Sequence, residues 1–371
     1  MNASGIDHAA DPLDSVSVVV PTYKEVDSLP HLLDRLRALR ESGVALDVLI
    51  MDDDSRDGTE ALGAARAEPW VQLVVRTQDR GLSPSVLDGL QRAEGDVLIV
   101  MDADLSHPPE RIPSMIEALR EGSDLVIGSR YVEGGTTSHD WGFGRWLNSR
   151  VATLLARPFT HVADPMSGFI ALRRSTFRSG RDFNPVGYKI GLELIVKCGC
   201  KRVGEIPIHF ENRKFGESKL SLREQLKYLQ HLRRLAIHKY GTWSHFTQFA
   251  AVGALGALAN LALLTAFLRL GVPASWAVAS AIAVTMVFNF VLNRRFSFSY
   301  ARGGSIVRHF FGFVAACSLG ALVNYALTLT LMQPPIGASP QIAALAGIAA
   351  GSLLNFLTNR YLVFRQEHVR P

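Results

Sequence analysis

Between positions 310 and 359 the chain runs fifty residues without one charged side chain. Two further uncharged stretches, 249–268 and 270–293, precede it. A soluble helix shows one face to water and needs polar groups there, whereas lipid penalises charge on every face. The long run exceeds the roughly 20 residues that a bilayer demands, and QPPIGASP at 333–340 divides it in two. Four membrane spans are therefore expected, about 246–268, 272–293, 310–332 and 340–362.

Charge is partitioned accordingly. Of 34 Asp and Glu, 33 precede residue 241, together with 31 Lys and Arg, so the first part is close to neutral at −2. Residues 241–371 hold eight Arg, no Lys and Glu367 alone, a net of +7. The basic pI thus belongs to the apolar half and gives no reason to expect a nucleic-acid partner. Arg294, Arg295, Arg302 and Arg308 follow the second span, and Arg360, Arg365 and Arg370 follow the fourth, while the other two connections share only Arg269. Basic loops stay on the cytoplasmic side, so both termini are expected there, in a multi-pass protein of the cell membrane. The polar start, MNASGIDHAADPLD, has no apolar signal core, and three cysteines make no disulfide framework.

The apolar half also repeats itself. QFAAVGALGALANLALL at 248–264 resembles GFVAACSLGALVNYALT at 312–328, and FNFVLNRRFSF at 288–298 resembles LNFLTNRYLVF at 354–364. Two helix hairpins of one orientation follow. Small residues such as Gly253, Gly256, Gly320 and Gly347 would let helices approach, and Asn260, Asn289, Asn324 and Asn355 suit interhelical hydrogen bonds or a headgroup path.

The first half alternates short β-branched runs (17–20, 47–51, 71–75, 97–101 and 124–128) with amphipathic segments such as 27–40 and 83–93. This is the pattern of a doubly wound α/β fold with a mostly parallel sheet, whose ligands bind at the carboxyl ends of the strands. PTYKE, DDDSRDGT and DAD stand at those ends. No GxGxxG follows the first strand, so dinucleotide chemistry is unsupported.

In VLIVMDADLSHPPE, 97–110, a buried strand runs into Asp102 and Asp104, one residue apart. Two adjacent carboxylates repel and are costly to desolvate unless a cation joins them, and Mg²⁺ or Mn²⁺ suits oxygen ligands shared with a phosphate. Taken alone, Asp104 or Ser106 could equally cap the next helix.

Together VVVPTYKE, MDDDSRDGT, RGLSPSVLDGL, VMDADLSHPPE and GSRYVEGG resemble inverting family 2 glycosyltransferases of the GT-A fold, and DADLSHPPE with GSRY resembles the polyprenol (dolichol) phosphate mannose synthases. The apolar half is similar to GtrA-like four-helix membrane domains. The resemblance implies a metal-dependent dolichyl-phosphate β-D-mannosyltransferase that moves mannose from GDP-mannose to polyprenyl phosphate at the cytoplasmic face of a lipid bilayer. A homo-oligomer is compatible with it. Pro21, Tyr23, Glu25, Asp53 and Asp102 would surround the nucleotide, with Asp53 taking a base N–H. Asp102, Asp104 and Ser106 would hold the metal, with Ser106 where the family often has Gln, and Asp102, Asp104 and Arg130 would be catalytic. Arg130, Arg145, Ser149 and Arg213 would hold the acceptor phosphate. Lys24 replaces the usual Asn of PTYKE. The rival readings are a UDP-glucose or UDP-GlcNAc donor, and a lipid-linked sugar transporter or scaffold.

The implied domains are a polar tail at 1–15, the catalytic domain at 16–218, an interfacial helix region at 219–243 and the membrane domain at 244–371. Leu222, Leu226, Leu229, Leu232 and Leu235 form an apolar stripe flanked by basic residues in that connecting helix, which suits an anionic membrane surface; an amphipathic core helix is the alternative.

Overall fold

The structure, a computed structural model, describes residues 13–65, 68–137, 143–187, 189–211, 222–299, 305–338 and 340–364. It divides into two compact units, Met1–Lys239 and Tyr240–Pro371.

In the first unit a seven-stranded sheet has the order β3-β2-β1-β4-β7-β5-β8. Its strands are β1 (Val16–Thr22), β2 (Leu46–Asp52), β3 (Val71–Val75), β4 (Val97–Val100), β5 (Leu125–Ser129), β7 (Ile170–Arg173) and β8 (Val203–Pro207). β6 (Thr136–Thr137) and β9 (His209–Phe210) form a small parallel pair. β1, β2, β3 and β4 run parallel, as do β5 and β8, and β7 enters antiparallel between β4 and β5. The expected mostly parallel sheet is present, and β7, β8 and the small pair are additions to it. Both faces are covered, which is why these strands read as continuous apolar runs. Val16, Val18 and Val20 pack with Leu29, Leu32, Leu33 and Leu36 of α1 (Leu29–Glu41) and with α4 (Ile112–Arg120). Val19 points the other way, toward Val86 and Leu90 of α3 (Leu82–Arg92) and Leu194 of α7 (Ile190–Lys197). Each fully buried leucine contributes about 1.5–3 kcal/mol, so Leu36→Ala would cost about 2–5 kcal/mol. α3 can lie close to the sheet because Gly89 has no side chain: a Cβ there would stand 2.4 Å from Val19 Cγ1.

The remaining helices of this unit are α2 (Thr59–Ala65), α5 (Phe143–Ala156), α6 (Arg174–Ser179) and α8 (Leu222–Tyr240). On α8 the leucine stripe divides. Leu232 and Leu235, with Tyr228, pack on Ala152 and Ala156 of α5 and on Leu192, whereas Leu226 and Leu229 are 60% and 50% exposed. The helix is thus partly a core element. On α5, Leu147, Val151 and Leu154 are likewise exposed.

The second unit contains α9 (Thr242–Arg269), α10 (Ala274–Leu292), α11 (Ile306–Met332) and α12 (Pro340–Thr358). These lie where the four spans are expected; among the described residues α9 passes, by length and apolar character, as able to cross a membrane. The internal repeat is structural as well as sequential. After α10 and α12 the backbone widens into a π-turn, with the Phe298 N–H donating to Asn293 O at 2.8 Å and the Phe364 N–H to Asn359 O at 2.7 Å. Asn289 fits against Gly256 and Asn355 against Gly320: a Cβ on either glycine would lie 2.1 or 1.9 Å from the amide oxygen. Gly253 has no such neighbour. Asn260 donates to Thr285 Oγ1 across α9 and α10 at 3.3 Å, the interhelical bond its position suggests. The side chain of Asn324 lies outside the described residues.

Candidate active site

The carboxyl ends of β1, β2 and β4, with the loop after β3, enclose a pocket of about 420 Å³, a size suited to a small ligand. Pro21, Tyr23 and Glu25 line it after β1, Asp53 after β2, Arg80, Gly81 and Leu82 after β3, and Asp102, Ala103 and Asp104 after β4. The expected nucleotide and carboxylate residues are therefore brought together.

Within the Asp52–Asp54 run the three acids take different tasks. Asp52 is buried and accepts from Thr22 Oγ1, Ser55 N and Ser55 Oγ, which shapes the turn after β2. Asp54, at φ 51°, pairs with Arg56. Asp53 faces the pocket, but one of its oxygens is paired with the buried Arg76 guanidinium and the other accepts from the Gly81 N–H at 2.6 Å. Its carboxylate thereby ties the loop after β3 to the pocket wall.

Asp104 is 3% exposed and accepts at one oxygen from Ser106 N at 3.1 Å and Ser106 Oγ at 2.6 Å. Ser106 is fully buried, outside the pocket lining, and its hydroxyl is directed at Asp104. It orients the carboxylate that the pocket presents. Among the described residues no group of three or more His, Cys, Asp and Glu is arranged to hold a metal. Two pocket-facing carboxylates nonetheless fit a hard cation of the Mg²⁺ or Mn²⁺ type, which is commonly held by one or two protein carboxylates plus phosphate oxygens and water. Behind the pair, the Asp102 N–H donates to His107 Nδ1 at 3.0 Å, and the buried His107 ring stacks on Phe169. Accepting at Nδ1 places the imidazole proton on Nε2.

Arg130 follows β5. Its Nε and Nη2 each lie 2.7 Å from Asp164, which is fully buried, and its backbone N–H donates to the same carboxylate. Asp164 is itself positioned by Glu205, which accepts from the Ala163 and Asp164 N–H groups. Burial works against the Arg130 charge, and the hydrogen bonds and charge of Asp164 outweigh it and raise the pKa, with a further contribution from Asp102. The bidentate fork thus grips a protein carboxylate. Lys189, just before α7, faces the same pair, and burial followed by the charge of Arg130 lowers its pKa to about 7 against the opposing pull of Asp164. Ser149 on α5 is nearly buried and accepts from the Tyr131 hydroxyl at 2.9 Å, while Arg130 and Arg150 lie over the Tyr131 ring. Arg130, Ser149 and Lys189 thereby belong to one neighbourhood. Arg145 lies in α5 with its side chain outside the described residues, and Arg213 lies wholly outside them.

Arg76, Asp164 and Lys189 were not legible as site residues. Each acts through a partner far along the chain, and no local spacing marks it.

Comparison with known proteins identifies both units. The family described as Glycosyl transferase family 2 matches residues 17–181, and that described as GtrA/DPMS, transmembrane domain, matches residues 248–364. A dolichol-phosphate mannosyltransferase of Pyrococcus furiosus is 38% identical over 355 residues, 94% of this chain and 99% of its own. The Saccharomyces cerevisiae protein of that name is 39% identical over 61% of this chain and 88% of its own. An undecaprenyl-phosphate mannosyltransferase of Micrococcus luteus is 38% identical over 56% of this chain and 87% of its own. With a GT-A sheet in its first unit and a GtrA/DPMS helical domain in its second, the chain belongs to the dolichol-phosphate mannosyltransferase family within glycosyl transferase family 2.

Proposed function

We propose that this enzyme transfers mannose from GDP-mannose to a polyprenyl phosphate at the cytoplasmic face of the membrane, with inversion at the anomeric carbon. The observation that carries this reading is the neighbourhood of opposite charges: Asp102 and Asp104 line the pocket, Asp102 N–H donates to His107, and Arg130 lies over the Phe210 ring that packs edge-on against His107. The two acids would hold the divalent metal, which when bound offsets negative charge on the departing diphosphate. The chain's own residues then have two tasks. Pro21, Tyr23, Glu25 and Asp53 enclose the nucleotide. Arg130, Lys189, Ser149, Arg145 and Arg213 draw in a second anion, the acceptor phosphate, against the repulsion of the first. No protein base is required, because a phosphate monoester is already anionic near neutral pH and attacks directly. Tyr131 holds Ser149, and Asp164 holds Arg130, so that part of this surface is preformed.

The GtrA/DPMS domain makes this a membrane protein. Four spans with both termini cytoplasmic follow from the arginine distribution, and the exposed leucines of α5 and α8 suit the headgroup boundary, where a lipid phosphate is presented. The test is transfer by the full-length protein in detergent with Mn²⁺, comparing GDP-mannose, UDP-glucose and UDP-GlcNAc, each with and without polyprenyl phosphate. Transfer from a UDP-sugar in preference to GDP-mannose would overturn the donor assignment. Nucleotide binding without transfer from any donor would favour the scaffold or transporter.

A further inference from the structure

The strand order fixes which end of the pocket meets which end of a nucleotide. Asp102 and Asp104 stand after β4, Tyr23 after β1, Asp53 after β2, and Arg80 after β3, and these four strands are neighbours in that sequence. Adjacent strands lie about 4.8 Å apart, so the loop after β3 stands roughly 14 Å from the acid pair. Ribose separates the phosphates of a nucleoside diphosphate from its base. If the phosphates lie at Asp102 and Asp104, the base extends toward Asp53 and Arg80.

At that end Asp53 is bound to Arg76 and to the Gly81 N–H. Arg80 is exposed and lines the pocket, with its guanidinium 5.5 Å from the centroid of the Tyr23 ring and its Nη2 donating to Asp54 O at 3.4 Å, a long bond that leaves its other N–H groups for a ligand. Lys24 Nζ lies 5.5 Å from the same ring. A guanidinium held over an aromatic face offers parallel N–H donors in the plane of its fork, whereas an ammonium offers a point charge.

We propose that Arg80 is a specificity-determining residue that reads the O6 and N7 edge of a guanine base in the donor nucleotide. The proposal rests on the pocket being the donor site, as in the reading above. Guanine places two acceptors side by side on that edge, which matches an arginine fork. Adenine replaces one of them with an amino donor, and pyrimidines have no N7, so neither can receive both hydrogen bonds. Tyr23 keeps the guanidinium at the pocket mouth, and the Asp53 contact to Gly81 holds the loop that carries it.

The experiment is calorimetric titration of the full-length protein in detergent with GDP, UDP and ADP in the presence of Mn²⁺, for the unaltered chain, Arg80→Ala, Arg80→Lys and Lys24→Ala. The unaltered protein is expected to prefer GDP. Arg80→Ala should lose about tenfold to a hundredfold in GDP affinity with little change for UDP. Arg80→Lys should fail to restore the preference, and Lys24→Ala, which removes a charge beside the same ring, should weaken GDP and UDP alike. A GDP preference that survives in Arg80→Ala, or an equal loss for GDP and UDP there, overturns the role of Arg80 while leaving the donor site intact. An unaltered protein that binds UDP as tightly as GDP overturns the guanine donor and this proposal together.

Discussion

Lys189 offers the sharpest quantitative test of the acceptor surface. With a pKa of about 7 it is half charged at pH 7, and simple titration leaves roughly one part in eleven charged at pH 8 and one in a hundred at pH 9. On the proposed role the acceptor phosphate is drawn in by the charged form, and kcat/KM reports ionisations of the free enzyme. Acceptor kcat/KM should therefore fall about fivefold from pH 7 to 8 and about tenfold over the next unit. The acceptor has its own second ionisation near 6, which strengthens binding as pH rises through that value, so the profile should peak between about 6 and 7. Lys189→Arg supplies a cation that does not titrate in this range and should abolish the descending limb while keeping the ascending one. The assay is initial-rate transfer at limiting polyprenyl phosphate and saturating GDP-mannose, from pH 5.5 to 9. An alkaline limb that persists unchanged in Lys189→Arg would refute the assignment of that limb to Lys189. The same shift bears on stability. Between about 7 and 10.5 the unfolded chain binds the proton that folded Lys189 has released, so this residue makes the fold more stable as pH rises through that window.

Three further outcomes are expected. Asp104→Asn, or excess EDTA on the unaltered enzyme, should lower transfer at least about a hundredfold, because metal stabilisation of the departing charge is worth several kcal/mol; near-normal turnover in EDTA would remove the metal. Asp164→Asn leaves Arg130 buried beside a neutral amide and should cost about 3–5 kcal/mol, seen as a fall in Tm of roughly 10 °C. A Tm within two degrees of normal would mean that the pair is not a structural keystone. Gly320→Ala should destabilise by about 1–3 kcal/mol through overpacking against Asn355, and adding Asn355→Ala should recover much of it in a thermal melt in detergent; no recovery would dissociate the two residues.

Legibility in the sequence followed the range of the interaction concerned. β1, β2, β4 and β5 announce themselves because a strand covered on both faces must be apolar along its whole length, as Val18, Val19 and Val20 are, whereas β3, at the sheet edge, is marked by its β-branched residues around an exposed Gln72. β7 is four residues ending in arginine, and β8 is an edge strand containing Gly204 and Pro207; neither composition distinguishes a strand from a loop. The carboxylate pair and the pocket residues lie within contiguous motifs and were readable. The partner that occupies the Arg130 fork lies 34 residues away, and the Asp53 partner lies 23 residues away, distances at which a single sequence carries no pairing signal. Ser106 adds a contact that the motif does not announce: its buried hydroxyl donates to Asp104. The leucine stripe of α8 was correct in period and incomplete in meaning, since periodicity identifies an apolar face without naming what covers it.

The paired notches of the helical unit bear on how the chain is made. Asn289 against Gly256 joins α9 to α10, and Asn355 against Gly320 joins α11 to α12, so each fastening lies entirely within one hairpin. A chain made from its N-terminus can complete the first fastening before the second hairpin exists. Sliding either helix by one turn, about 5.4 Å, would carry the amide off the glycine that it fits. Each hairpin thus carries its own register, and the two meet around phenylalanines drawn from both.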